Sequence, residues 1–227
     1  MKIRNSFRRA FVGLVMLGCA QAGHTADMTV LYYRDQDPDT PSYLTRILIT
    51  PEFLRLDGGR DQADFVLLDR RTGELTNVLH ETKTNMRIRN RPLPEQARPP
   101  WHADERIDEV HPGTQRITLS VHGKVCSQTV AAEKLMPEAA RALAEYKVAL
   151  AWMQYQTYKN TPEELRQECD LVHYVWETDR PLGHGLPIEE RDYSGRTRQL
   201  ERQDRERLKP ELFKLPVGYT VVYATKE

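Results

Sequence analysis

From Met28 to Asn90 the chain alternates apolar and polar residues with a period of two, interrupted at short intervals by turn chemistry. That pattern leaves room for little except an antiparallel meander. The runs MTVLYYR (28–34), LTRILIT (44–50), EFLRL (52–56), DFVLLD (64–69), ELTNVLH (74–80) and NMRIRN (85–90) read as six successive strands. Pro51, DGGRDQ and RRTG separate them, and connections this short cannot carry the crossover that a parallel pair requires. With 39% hydrophobic residues over 227 positions, the chain has enough apolar side chain for a real core.

Asp57, Asp61, Asp64 and Asp69 crowd the same region and pose a choice between a cation site and turns. The alternate-position acids, central glycine and closing glutamate of a calcium loop are absent, so each acid is expected to serve a local turn. Next, RPLPEQARPPWHAD (91–104) has four prolines and no periodicity, which predicts a long extended connection. RITLSVHG (116–123) alternates cleanly, with Ile117, Leu119 and Val121 on its dry face. From Met136, the spacing of Leu143, Tyr146, Leu150 and Met153 after Pro137 predicts a long helix over 137–155 whose alanines permit close packing on a sheet. NTPEEL predicts a second helix, capped by Thr161 with Pro162 and Glu164 in its first turn, reaching toward Cys169. YVWETD, GLPIEERDYSG, RTRQLERQ and GYTVVY read as further strands with a hairpin turn at Ser194-Gly195, and DRERLKPELF as a short exposed helix.

The first 22 residues carry Lys2, Arg4, Arg8 and Arg9, an apolar run from Ala10 to Gly18, and Ala20-Gln21-Ala22, the order of a secretory signal cleaved after Ala22. FRRAFV also resembles a twin-arginine signal, and MLGC places Cys19 where a lipoprotein would be acylated, so the export route and a lipid anchor at Cys19 stay open. The apolar run is far below the roughly 20 residues that span a bilayer, and no transmembrane span is expected in the mature chain. Cleavage leaves an acidic excess of four charges, which argues against nucleic acid as a partner. It also leaves Cys126 and Cys169 as an even pair, and in an oxidising compartment a disulfide is the expected state. The sequence thus predicts a signal peptide over 1–22, a single domain over 23–227, and the periplasm as its location.

No phosphate loop, G-x-S-x-G elbow, H-E-x-x-H or paired-cysteine zinc spacing occurs, so neither a cofactor nor a metal is expected and no catalytic residue is assigned. The histidines are scattered without ligand spacing. Arg87, Arg89 and Arg91 form a row that reads as the protected face of an edge strand, with anion contact as the functional alternative.

The stretches ITPEFLRLDGG and FVLLDRRTGEL, with the ending SGRTRQLERQ…LFKLPVGY, resemble periplasmic lipoprotein carriers of the LolA type, in particular an uncharacterised lipoprotein-sorting-like group. The resemblance covers most of residues 28–223 and carries over no functional residue. It implies a mainly β (α+β) fold, an open antiparallel half-barrel sheet covered by a helical hairpin around an apolar cavity. The expected function is non-catalytic binding of a lipid, lipoprotein or other apolar ligand between sheet and helices. Met86, Ile88, Ile117, Leu119, Val121, Leu143, Leu150 and Met153 are the candidate groove residues. The alternatives are a structural or interaction protein of the cell envelope with a filled core and an envelope protein as partner, and an envelope hydrolase with a site of dispersed residues.

Overall fold

A computed structural model describes residues 27–224, so the expectations for Ala22 and Cys19 fall outside the described residues. The described residues are mainly β, with twelve strands in one open sheet. β1 (Asp27–Gln36), β2 (Tyr43–Ile49), β3 (Phe53–Asp57), β4 (Phe65–Asp69), β5 (Glu74–Leu79) and β6 (Thr84–Ile88) form the expected antiparallel meander. β7 (Asp104–His111), β8 (Thr114–Val121), β9 (Lys124–Ala132), β10 (Leu186–Asp192) and β11 (Thr197–Arg207) form a second antiparallel set, joined to the first where β11 pairs with β1. β12 (Thr220–Tyr223) completes the order β12-β6-β5-β4-β3-β2-β1-β11-β10-β9-β8-β7 and runs parallel to β6. The all-antiparallel expectation fails at that one pairing, because the chain reaches β12 by a long crossing and not by a hairpin.

The acids of the β3–β5 turns do local work. Asp57 accepts the Gly59 N–H at 2.8 Å, Asp64 the His80 N–H at 2.8 Å, and Asp69 the N–H groups of Arg71 and Thr72 at 2.9 and 3.0 Å. Asp61 pairs with Arg46 at 2.8 Å.

Both faces of the meander are covered. On one, Leu31, Ile47, Leu54, Leu68 and Leu75 pack against α1 (Pro137–Asn160) through Ala139, Ala140, Ala142 and Leu143. Small alanines let the helix axis approach closely, and each buried leucine contributes about 1.5–3 kcal/mol. On the other face, Met28, Val30, Leu48, Phe65 and Val78 are covered by Leu212 and Phe213. DRERLKPELF is therefore not an exposed helix: its first half extends β11, and its second half makes a 3-10 turn (Pro210–Phe213) that buries Leu212 and Phe213. Buried Arg55 fixes that strap, donating to the Leu212 carbonyl at 2.7 Å and pairing with Asp57 at 2.8 Å. A third cluster, with Ile117, Leu119 and Val121, surrounds the disulfide.

The segment after α1 departs from the expected helical hairpin. Thr161 ends α1 instead of opening a second helix, its N–H and hydroxyl both turned back onto the Thr157 carbonyl. Arg166 donates to the carbonyls of Lys159 and Thr161, satisfying the helix end so that the chain can turn there. A single 3-10 turn (Glu163–Leu165) and the four-residue α2 (Glu168–Leu171) follow, and then Val172–Trp176 makes a π-turn. YVWETD is thus not a strand, despite its aromatic and β-branched residues. Cys169 is bonded to Cys126 of β9 with Cα atoms 4.9 Å apart, which holds the segment down before it can extend. Closing that 43-residue loop stabilises the chain by about 4 kcal/mol on the chain-entropy account.

Candidate functional site

Beyond Leu143, the helix-facing side of the sheet changes character. β1 continues from Leu31 and Tyr33 to Asp35, all three buried in one phase, and β2 runs from Ile47 back through Thr45 to Tyr43. β11 adds Arg198, opposite Asp35, and β10 adds Glu190, opposite Arg198. Over them stand Tyr146, Lys147, Leu150 and Gln154 of α1, and between the two layers lies a cavity of about 360 Å³. His173, Tyr174 and Thr178 close its far side. A π-turn is wider than an α-turn, here with the Glu177 N–H on the Val172 carbonyl at 3.1 Å, and such turns recur at functional sites. In this one, His173 and Tyr174, consecutive in sequence, both reach the cavity. Gly185, before β10, has φ +133° and lies so close to Ala132 that a Cβ would fall 2.3 Å from its carbonyl oxygen. Only glycine allows β10 to enter the sheet there.

The charges are tightly interlocked. Lys147 donates to Glu190 at 2.8 Å, and Arg198 grips Asp35 through two bonds of 2.7 and 3.0 Å. Arg196 faces Asp37 at 3.4 Å and donates to the Tyr43 hydroxyl at 3.3 Å. Asp192 accepts the Ser194 hydroxyl at 2.6 Å, the Ser194 N–H at 2.9 Å and the Tyr174 hydroxyl at 3.1 Å. Burial would raise the Glu190 carboxyl, but Lys147 and Arg198 outweigh it and hold the group at about 2. Burial, reinforced by the Lys147 charge, lowers His173 to about 4, so the imidazole is neutral at pH 7. Burial also raises the Tyr146 hydroxyl, which stays protonated. The site therefore presents fixed, mutually neutralised charges together with neutral hydrogen-bonding groups. A second, more open hollow of about 470 Å³ borders Arg116, Gln128, Glu189 and Arg191, without a helix above it.

The eight candidate groove residues are divided among several places. Ile88 and Leu143 belong to the helix–sheet core, with Leu150 and Met153 at its margin. Ile117, Leu119 and Val121 lie in the disulfide cluster, and half-buried Met86 pairs with Val222 near the sheet edge. Of the eight, Leu150 alone lines the 360 Å³ cavity. The arginine row is engaged by neighbours: Arg87 pairs with Glu74 at 3.4 Å, Arg89 lies over Tyr223 and Arg91 over Trp152. The polar residues that line the cavity, above all Lys147, His173, Glu190 and Arg198, and Asp35, which holds Arg198 from behind, are not among the sequence candidates. Two signals were present: Asp35 falls in the apolar phase of Leu31 and Tyr33, and Arg198 in that of Leu200.

No family model matches the chain, and no curated protein matches it by sequence. Among solved structures it is similar to PNGF-II in two crystal forms, each with a TM-score of 0.42 and 9% identity. Those matches cover 87% and 88% of this chain but 31% and 32% of PNGF-II, so the chain spans about a third of that protein's length. It is also similar to the LolA superfamily protein NE2245 from Nitrosomonas europaea, with a TM-score of 0.33 and 10% identity, over 85% of this chain and 91% of that one. Likenesses of this size transfer neither residues nor an activity, and the site is read from its own geometry.

Proposed function

We propose that the protein is a non-catalytic binding protein of the periplasm, a single half-barrel domain left after removal of residues 1–22, that holds a small ligand between α1 and the sheet. The observation that carries this reading is the 360 Å³ cavity, walled by α1, the π-turn and four strands. Its size falls within the roughly 300–1,000 Å³ of small-molecule sites. A core designed only to be filled would not surround a space of this kind with ion pairs, since burying charge stabilises a fold little compared with apolar packing. The expected occupant was a lipid, a lipoprotein or another apolar molecule. Leu56 and Leu150 offer an apolar surface for part of a ligand, while the remaining walls favour one that also carries polar groups.

Native mass spectrometry of protein purified without detergent tests this. A stoichiometric adduct is expected on the wild type and absent from Leu150→Trp, which fills the cavity while the circular dichroism spectrum is retained. A bare wild type, together with no uptake from a periplasmic metabolite extract, would replace the binding protein by an interaction protein with a closed core.

A further inference from the structure

The charged and the neutral groups of the cavity are in different states of commitment. Each cation already faces a carboxylate, Lys147 on Glu190, Arg198 on Asp35 and Arg196 on Asp37. Asp192 is occupied by Ser194 and Tyr174. An anionic ligand would have to draw Lys147 or Arg198 away from its partner, and a cationic one would have to draw away Glu190. Either exchange leaves a charge unpaired in a mostly buried wall, which is costly.

The neutral groups are uncommitted. Tyr146, Gln154, Thr45 and Thr178 line the cavity without a side-chain hydrogen bond to any described residue. His173 also lines the cavity with no side-chain hydrogen bond to any described residue, and the Asp192 oxygen facing its Nε2 is 4.0 Å away, beyond hydrogen-bond reach. A hydroxyl, a primary amide and a neutral imidazole each offer both donor and acceptor capacity, which is what sugar hydroxyls and acetamido groups satisfy. The Tyr43 and Tyr146 rings with Leu56 and Leu150 supply apolar contact for the C–H faces of such a ligand. An acyl chain would leave all five neutral groups unpaired on a dry surface, which works against its binding.

Resting on the reading of this cavity as a ligand site, we infer that its ligand is an uncharged, hydroxyl- and amide-rich small molecule, a mono- or disaccharide, recognised by Tyr146, Gln154 and His173. The arrangement resembles neither a carboxylate-binding nor an acyl-binding pocket: its fixed charges orient the walls and its neutral groups meet the ligand.

The test titrates the full processed chain, by calorimetry and saturation-transfer NMR, with a panel of neutral mono- and disaccharides that includes N-acetylglucosamine and maltose, and in parallel with glucuronate, glucosamine and palmitate. A neutral sugar is expected to bind. Tyr146→Phe and Gln154→Leu should each weaken it about tenfold, the loss typical of one unpaired polar group. Glu109→Gln, on the exposed edge strand β7, should leave affinity unchanged. Binding of palmitate or a charged sugar, with the neutral panel silent and Leu150→Trp abolishing the signal, overturns the ligand class and leaves the cavity standing as a binding site. Silence from every probe, with no adduct on the wild type in native mass spectrometry, overturns both.

Discussion

The two halves of α1 lie over the same face of the same sheet, yet they are packed for different ends. In the first half, Ala139, Ala142 and Leu143 are buried on Leu31, Ile47, Leu68 and Leu75 in an apolar cluster. Further along, Tyr146, Leu150 and Gln154 face Thr45 and Arg198 across an open cavity, which Lys147 bridges to Glu190 at 2.8 Å. Apolar burial stabilises the first half directly. The second contains paired charges whose mutual attraction little more than offsets their desolvation. The contrast teaches that apolar packing and the polar cavity are assigned to separate turns of one helix; on the proposed reading, the turns over the cavity can keep unsatisfied groups for a ligand without loosening the fold.

The largest expected effect comes from breaking a pair in the polar half. Asp35→Ala strips Arg198 of its two short hydrogen bonds, leaving only the 3.8 Å contact with Glu190, and should lower unfolding free energy by about 3–5 kcal/mol in urea titration. Adding Arg198→Met should recover much of that loss, which a simple packing defect would not allow. In the dry half, Leu75→Ala should cost about 2–5 kcal/mol by leaving a cavity, while ligand affinity of the folded protein stays unchanged.

The pH response sharpens the comparison, because the shifted groups that titrate in the acid range, His173 and Glu190, both belong to the polar half. His173 titrates at about 4 in the fold against 6.5 when exposed, so the unfolded chain binds the extra proton first. Its contribution is complete above pH 6.5 and is lost as pH falls through 4, about 3 kcal/mol in all. Glu190, at about 2 against 4.5, keeps its contribution above pH 4.5 and loses it below. His173→Gln should flatten the first window and leave the second, as measured by urea midpoints across pH 3–8. The smallest stability effect is expected at Gln154→Leu, within about 0.5 kcal/mol, although it should impair binding.

Residues 28–90 were readable because each strand there has a covered face, so its alternation survives. β7, DERIDEVH, is exposed on both faces and carries no such pattern, and β9 interleaves small and polar residues around Cys126. At YVWETD (174–179) local preference pointed to a strand, and the disulfide and the end of α1 overrode it with a π-turn over Val172–Trp176. The cavity was hidden for a related reason. Apolar residues at helical or strand spacing mark a core, and Met86, Ile117 and Leu143 obeyed that rule without sharing a wall. The cavity is instead assembled from polar residues far apart in the chain, Thr45, Lys147, His173, Glu190 and Arg198. Only the phase of Asp35 with Leu31 and Tyr33, and of Arg198 with Leu200, marked polar side chains on a covered face.

The central claim, that the second half of α1 roofs a ligand site and not a core, is tested most directly by a crystal structure of protein never exposed to detergent. The account predicts electron density for a compact polar molecule between α1 and β10–β11, within hydrogen-bond distance of Tyr146, Gln154 and His173, with the Lys147–Glu190 and Arg198–Asp35 pairs intact. An α1 settled onto the sheet, with Tyr146 and Leu150 filling the space in both untreated and sugar-soaked crystals, would contradict it.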